Sequence, residues 1–225
     1  AIYAHGGMNT TYRESPFAAF GETGQTGVDL KQVFITPTVA ARIAPGHSLG
    51  ISVIGVVQGF RARGVAPFSG ASADPANFTN RGTSVAFGSG VQVGYLGRIT
   101  DEISLGAFYK SKVWAGKFGR YSGLFAQEGG FDVPASWGGG IAVKASDRLT
   151  LAADFKRTEY SDVQSVGNPL APLFQGIPFG VDDAPGFGWR DISVGKFGAV
   201  YTANERLTLR AGYSIGGNPV PQSET

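Results

Sequence analysis

The sequence contains no cysteine and only two histidines among its 225 residues. The lack of cysteine excludes a disulfide framework and a thiolate metal site. His5 and His47 do not belong to a triad or a metal-ligand cluster. The adjacent Asp182 and Asp183 favour a solvated loop pair over a cation site. We therefore predict no catalytic residues, no metal, no cofactor and no enzymatic activity.

Charge and long apolar runs are also scarce. Charged residues make up 16% of the chain, against about 25% in ordinary soluble domains. The net charge of +2 is dispersed, and without a Lys/Arg cluster we predict no nucleic-acid partner. No stretch approaches the roughly 18 apolar residues of a membrane helix, and no amphipathic helix of three or more turns is evident.

The sequence does contain several segments in which apolar and polar residues alternate. In the segments 141–145 and 149–156, Ile141, Leu151 and Phe155 fall on one face, whereas Lys144 and Asp154 fall on the other. A period of two is typical of a strand between two environments. Three further hairpins repeat the pattern about short turns at 44–47, 100–102 and 203–205. Pro37 lacks an amide donor and predicts a bulge or a break in pairing.

Lipid is the expected cover for the apolar face, because no helix is available to pack on it. Each arm is about ten residues long, which suits a tilted strand across a bilayer. Spanning strands must pair completely, and a closed barrel achieves this. We predict an all-β, transmembrane, antiparallel up-and-down β-barrel, here a partial barrel of about eight strands forming one domain over residues 1–225. The short turns are periplasmic; the extracellular loops are 61–87, 116–133, 161–189 and most of 5–31.

Apolar residues in the predicted loops are the main candidates for function. Exposed loops rich in Phe and Leu suggest a groove that captures a hydrophobic ligand. Packing of the loops into a compact cap explains the same residues about equally well. The candidate loop residues are Phe68, Phe78, Phe87, Leu124, Phe125, Phe131, Leu173 and Phe174.

Basic residues on the polar face form a second group of candidates. An excess of positive charge in the lumen would attract a carboxylate head group, although wide barrels normally have polar, cross-paired interiors. Lys110 and Lys112 are the best candidates, because they lie near the outer rim beneath the apolar loops.

A series of short motifs runs along the chain in a fixed order. They are GGMNTTY at 6–12, NRG at 80–82, GSGVQVG at 88–94, LGAFYKSK at 105–112, FDVPA at 131–135, LTLAAD at 149–154, YSDV at 160–163, GFGWRD at 186–191, LTLRAGY at 207–213 and PVP at 219–221. In their order and spacing they resemble the FadL/TodX-type outer-membrane transporters of long-chain fatty acids and aromatic hydrocarbons. The resemblance implies a barrel of fourteen strands with an N-terminal plug, of which this chain would be a fragment lacking the plug, the first strands and the C-terminal strands.

The expected function is passive transport of a hydrophobic small molecule across the bacterial outer membrane. The molecule would be caught by the apolar loops and would then pass into the barrel. Lipid and lipopolysaccharide of the outer membrane are the other expected partners. Two alternatives stay open: a structural or adhesive surface barrel with ligand-binding loops, and a soluble β-sandwich, which would need a second apolar face to pack against.

Overall fold

The structure is a computed structural model and describes residues 1–224, apart from the side chains of residues 5, 6 and 224. The described chain is almost entirely antiparallel sheet. Its strands are β1 (Ile2–Tyr12), β2 (Thr26–Ile35), β3 (Thr38–Ala44), β4 (His47–Arg63), β5 (Ser84–Arg98), β6 (Ile103–Lys110), β7 (Trp114–Ala115), β8 (Ser136–Ser146), β9 (Leu149–Thr158), β10 (Ile192–Asn204) and β11 (Leu207–Gly216).

Helical structure in the described chain is confined to single turns within the loops and near the C-terminus. None of its helices is long and apolar enough to cross a membrane. The short segment α1 (Ala126–Gly129) has left-handed backbone angles at residues 127 and 128, and α2 (Gln164–Gly167) is a single α-helical turn. The 3-10 segments are Ala18–Phe20, Ala66–Ala71, Pro75–Asn77, Gly119–Tyr121, Tyr160–Asp162, Ala171–Gln175 and Gln222–Glu224.

The strands pair in the order β1-β2-β4-β5-β6-β8-β9-β10-β11, with β3 also on β4 and β7 also on β5. Neighbours in the sheet therefore follow chain order, which confirms the up-and-down topology and the partial, unclosed barrel. The path has nine strands where about eight are predicted, because the segment 2–12 forms β1, whereas the sequence predicts a loop over most of 5–31.

Both boundaries of two predicted loops are wrong. Strand β4 continues to Arg63, and β5 starts at Ser84, so the loop predicted at 61–87 covers only 64–83. Residues 5–12 and 26–31 likewise belong to strands, which leaves a loop at 13–25. The other long loops run from 111 to 135 and from 159 to 191, and the first of these includes the short strand β7. The apolar content of the strand ends explains the error, since Phe60 and Phe87 resemble their loop neighbours in composition.

Pro37 interrupts the strand as predicted. β2 ends at Ile35 and β3 begins at Thr38, yet both pair with β4. At the break, the Val53 amide donates to the Pro37 carbonyl at 3.2 Å. The break is therefore a local irregularity within one continuous wall.

The two faces of the wall differ as the alternation predicts. Along β4, the outward residues Leu49, Ile51 and Val53 are about half exposed, whereas Ile54 on the inward face is fully buried. The outward side chains of the other strands are apolar in the same way, among them Leu151 and Leu209. The buried core lies inside the curve of the sheet, under the long loops.

Candidate functional site

The loop 111–135 folds onto the inner face of the sheet and supplies most of its core. Phe60 of β4 lies 4.9 Å from the Tyr121 ring and 4.7 Å from the Phe125 ring, measured between centroids. The fully buried Tyr121 hydroxyl accepts from the Ala62 amide at 3.1 Å and donates to the Gly82 carbonyl at 2.6 Å. Apolar burial and satisfied hydrogen bonds together fix this loop against the wall.

Two glutamines tie the same loop to the wall from below. Gln32 of β2 donates to the Gln58 side chain at 2.6 Å, and Gln58 donates to the Phe131 carbonyl at 3.0 Å. Gln58 is fully buried. A buried side-chain amide needs hydrogen-bond partners, because a buried donor or acceptor without one lowers the stability of the fold by roughly 1–3 kcal/mol. The position of Phe131 is therefore set by the wall.

The three longest loops are bonded to one another. The Gln127 and Glu128 amides donate to the carbonyls of Val181 and Gly180 at 3.0 and 2.9 Å, which holds both donors in left-handed conformations. Asp74 of the loop 64–83 approaches Gly123 so closely that a Cβ there would lie 2.0 Å from the Asp74 carbonyl oxygen. The loops therefore form one connected cap.

Beneath this cap lies a cavity of about 440 Å³ between the loops and the inner wall. Its volume is in the range of small-molecule sites. Most of its walls are aromatic or aliphatic, with polar groups on the strands and Asp132 on the loop 111–135. The lining residues are Tyr3, Gly7, Met8, Leu30, Gln32, Gln92, Phe108, Lys110, Phe131, Asp132, Val133, Pro134, Ser136, Lys156, Thr158, Tyr160, Val166, Phe187 and Trp189.

Lys110 and Lys156 bring positive charge to this cavity. Lys110 is buried, and its Nζ lies 4.7 Å from the centroid of the Phe34 ring. Among the side chains that the structure describes, no carboxylate lies within ion-pair distance of either lysine. A buried ammonium group is expensive to leave without an anionic partner. The arrangement can therefore bind an anion whose apolar body occupies the remaining walls.

Lys112 is placed differently. Its Nζ lies 3.8 Å from the Asp132 carboxylate and donates to the Asp162 carbonyl at 3.2 Å. These protein groups already neutralise and bind the ammonium. Lys112 thus joins two loops, and its predicted contact with a ligand stays a prediction.

The predicted apolar loop residues divide into two groups. Phe131 lines the cavity, and Phe125, Phe78 and Leu124 pack in or against the cap, with the Phe78 ring 5.6 Å from that of Phe179. Phe68 lies in the loop 64–83, and Leu173 and Phe174 lie in the loop 159–191, all three away from the cavity lining. Phe174 is 83% exposed, and Phe68 contacts Phe17. Ligand contact stays a prediction for all of them.

Phe87 was predicted to be a loop residue, and this placement is wrong. It belongs to β5, opposite Val57 of β4, and its side chain is 69% exposed on the outward face. A phenylalanine there contacts lipid in a membrane wall. The sequence pattern did not indicate that β5 begins at Ser84, because Phe87 follows an aromatic loop of similar composition.

Most of the cavity lining was not predicted. Phe108 and Lys156 come from the inward positions of β6 and β9, and Trp189 comes from the end of the loop 159–191. The Trp189 ring packs edge-on against Tyr160 at 5.2 Å. The alternation predicts Lys156 on the polar face among the basic candidates, and the same period could have indicated Phe108, since both lie near the loop ends of their strands. Nothing in the sequence placed Trp189 across from them.

Asp191 anchors the end of the loop 159–191. Its carboxylate accepts from the Arg157 guanidinium at 2.9 Å and from the Ser161 amide and hydroxyl at 3.0 and 2.8 Å. Burial alone would raise the pKa of the Asp191 carboxyl, but these hydrogen bonds and the Arg157 charge lower it below its ordinary value. The ionised form is therefore the one that holds the loop.

This anchor predicts a pH dependence. Because the folded pKa of Asp191 is lowered, its contribution is complete above the unfolded pKa of about 4 and is lost as pH falls through the folded pKa. We expect amide-exchange protection factors of residues 159–165 to fall over that range, and Asp191→Asn to remove the pH dependence. Asp183→Asn, at an exposed position of the same loop, is the control. An unchanged profile in Asp191→Asn would contradict this role.

The full chain, residues 1–225, matches the family model described as "Outer membrane protein transport protein (OMPP1/FadL/TodX)". No curated protein sequence matches it. Solved structures share its fold. The Pseudomonas putida toluene transporter TodX aligns at 21% identity over 98% of this chain and 64% of its own, with a TM-score of 0.68.

Two other structures give similar values. The Ralstonia pickettii toluene transporter TbuX aligns at 21% identity over 96% of this chain and 64% of its own, with a TM-score of 0.66. A Pseudomonas aeruginosa FadL homologue aligns at 16% identity over 98% of this chain and 56% of its own, with a TM-score of 0.67. The chain thus spans less than two thirds of these relatives, and the likeness establishes the fold.

Proposed function

Because the chain belongs to the OMPP1/FadL/TodX family of outer membrane transport proteins, we propose that it carries hydrophobic small molecules bearing a carboxylate, such as long-chain fatty acids, into the outer membrane barrel. The cavity beneath the loop cap is the proposed binding site.

We also infer that residues 1–225 act as one domain of a larger barrel, since a single sheet runs through all of its strands.

The observation that carries this proposal is the buried Lys110, which lines a mainly apolar cavity and has no carboxylate within ion-pair distance among the described side chains. A neutral hydrocarbon would leave the Lys110 ammonium without an anionic partner. A carboxylate would supply that partner, and an alkyl or aromatic body would pack against Phe108, Phe131 and Trp189. Charge-assisted hydrogen bonds of this kind are about twice as strong as neutral ones.

Passage beyond the cavity needs no chemical step. A second concave region of about 430 Å³ shares Phe108 and Lys156 with the cavity and continues along the inner wall. Small residues, including Gly106 and Ala142, form much of that wall. A ligand can therefore leave the cap along the sheet while its charged end stays near Lys156.

Uptake measurements test the proposal. Cells that lack their own transporter and carry the complete gene should take up labelled long-chain fatty acid above the empty-vector level, and more readily than labelled toluene. Uptake of toluene alone would contradict the carboxylate specificity. If neither compound enters although the barrel is assembled, transport itself is wrong and the adhesive alternative is favoured.

A further inference from the structure

A polar, mainly basic cluster lies on the outward face of β2 and β4, where a membrane wall is otherwise apolar. The outward positions of β4 run Leu49, Ile51, Val53, Gly55, Val57, Gly59, Arg61 and Arg63 from the short turn to the long loop. The apolar series ends at Val57. The two arginines therefore lie just above the hydrocarbon-facing band, on the side of the extracellular loops.

The strand register brings further polar groups to the same place. Arg61 is directly opposite Asp29, Lys31 is opposite Gly59, and Arg63 is opposite Gly27. Directly paired residues have Cβ atoms about 5 Å apart, and diagonal neighbours are about 7–8 Å apart. Lys31, Arg61 and Arg63 form what we term the outer basic cluster.

The outer basic cluster has more positive charge than the protein neutralises. Asp29 is its one carboxylate among the described residues, and it lies 3.0 Å from the Lys31 Nζ and 3.8 Å from the Arg61 guanidinium. Arg63 has no carboxylate within ion-pair distance in the described chain. The Lys31 side chain is 75% exposed and that of Arg61 is 37% exposed. Three cations thus share one acid on an accessible surface.

Apolar side chains adjoin the cluster on its membrane side. Phe87 of β5 is paired with Val57, and Val85 is paired with Gly59. Phe87 and Val85 are 69% and 54% exposed on the same outward face. Cations above and exposed apolar groups below match a lipid that has an anionic headgroup and acyl chains.

We propose that the outer basic cluster binds the phosphorylated glucosamine headgroup of the outer-leaflet glycolipid, lipid A, with its acyl chains against Val57, Val85 and Phe87. Arginine suits this role, because its guanidinium binds phosphate in a bidentate geometry. A transported ligand in the cavity is not the occupant. Leu30, which alternates with Asp29 and Lys31, lines the cavity, so the cluster lies on the opposite side of the wall.

Binding of lipid A to the complete purified protein tests this site. Native mass spectrometry would compare bisphosphorylated lipid A with its dephosphorylated form, and inorganic phosphate would serve as a competitor. The variant is Arg61→Gln with Arg63→Gln. Its matched control is Arg148→Gln with Arg206→Gln, which removes the same charge from exposed residues of two short turns on the opposite rim.

The Arg61/Arg63 variant should bind bisphosphorylated lipid A roughly thirtyfold more weakly, which corresponds to about 2 kcal/mol for the loss of two basic residues near an anionic membrane surface. The control should bind like the parent protein. Equal binding of the dephosphorylated lipid by the parent, or unchanged binding by the variant, would overturn the proposal. Displacement by inorganic phosphate at equal concentration would assign the cluster to free phosphate instead. If the double variant fails to assemble, Lys31→Gln, at the most exposed of the three positions, replaces it with the same criteria.

Discussion

An arginine in place of Leu151 should destabilise the assembled barrel by about 2–4 kcal/mol, or somewhat less if the position lies near the interface. Leu151 is on the outward face of β9, 45% exposed and paired between Val143 and Ala199. A charge there must enter hydrocarbon or pull the strand towards the headgroups. Urea unfolding of the complete protein in lipid vesicles, followed by heat-modifiable migration, measures the change.

Leu209 and Thr208 supply a matched comparison on β11. They are adjacent in sequence but face opposite sides of the wall, since Leu209 pairs with the outward Tyr201 and Thr208 pairs with Thr202. Leu209→Arg should destabilise the protein, whereas Thr208→Arg should be tolerated because its side chain enters the lumen. Equal effects of the two substitutions would show that the faces are wrongly assigned.

Replacing Lys110 by methionine should lower fatty-acid uptake roughly ten- to a hundredfold while leaving toluene uptake intact or raising it. The reason is the loss of a charge-assisted interaction of about 1.5–3 kcal/mol with the proposed carboxylate. Methionine keeps much of the volume and the apolar contact with Phe34. The measurement is initial uptake of the two labelled compounds by cells that carry the complete gene.

Lys144→Met is the control for this substitution. Lys144 lies on the same inner face of the wall, close to the short turn between β8 and β9, and does not line the cavity. Lys144→Met removes one positive charge from the lumen, as Lys110→Met does, but changes no residue that lines the cavity. If both variants lose fatty-acid uptake equally, the effect is one of overall charge, and Lys110 has no specific role.

The strands and their faces could be predicted from the sequence because a half-apolar strand repeats every two residues. The hairpin of β8 and β9 was found from this pattern alone, and so was the interruption at Pro37. β1 was missed because its glycines and short polar residues give only weak alternation. The upper ends of β4 and β5 were missed because Phe60 and Phe87 adjoin apolar loops, where strand and loop have the same composition.

The site could be predicted only in part, because it forms from residues distant in sequence. Lys110 was found, since its position near a strand end and its inward face follow from the period of two. Its isolation from carboxylates was not predictable, because that depends on where Asp132 and Asp154 point. The contact of Trp189 with Tyr160, and the bond between Gln58 and the Phe131 carbonyl, both depend on loop paths that no local pattern encodes.

The interlocked loops bear on the permeability barrier of the cell. A wide barrel with an open mouth would let ions, dyes and antibiotics leak through the outer membrane. Here the Phe60 ring of β4 packs against both the Tyr121 ring and the Phe125 ring of the cap. A hydrated solute would have to give up its water to pass between them, whereas an oily one gains contacts. Under the transport function proposed above, the cap would therefore select molecules by their poor solubility in water.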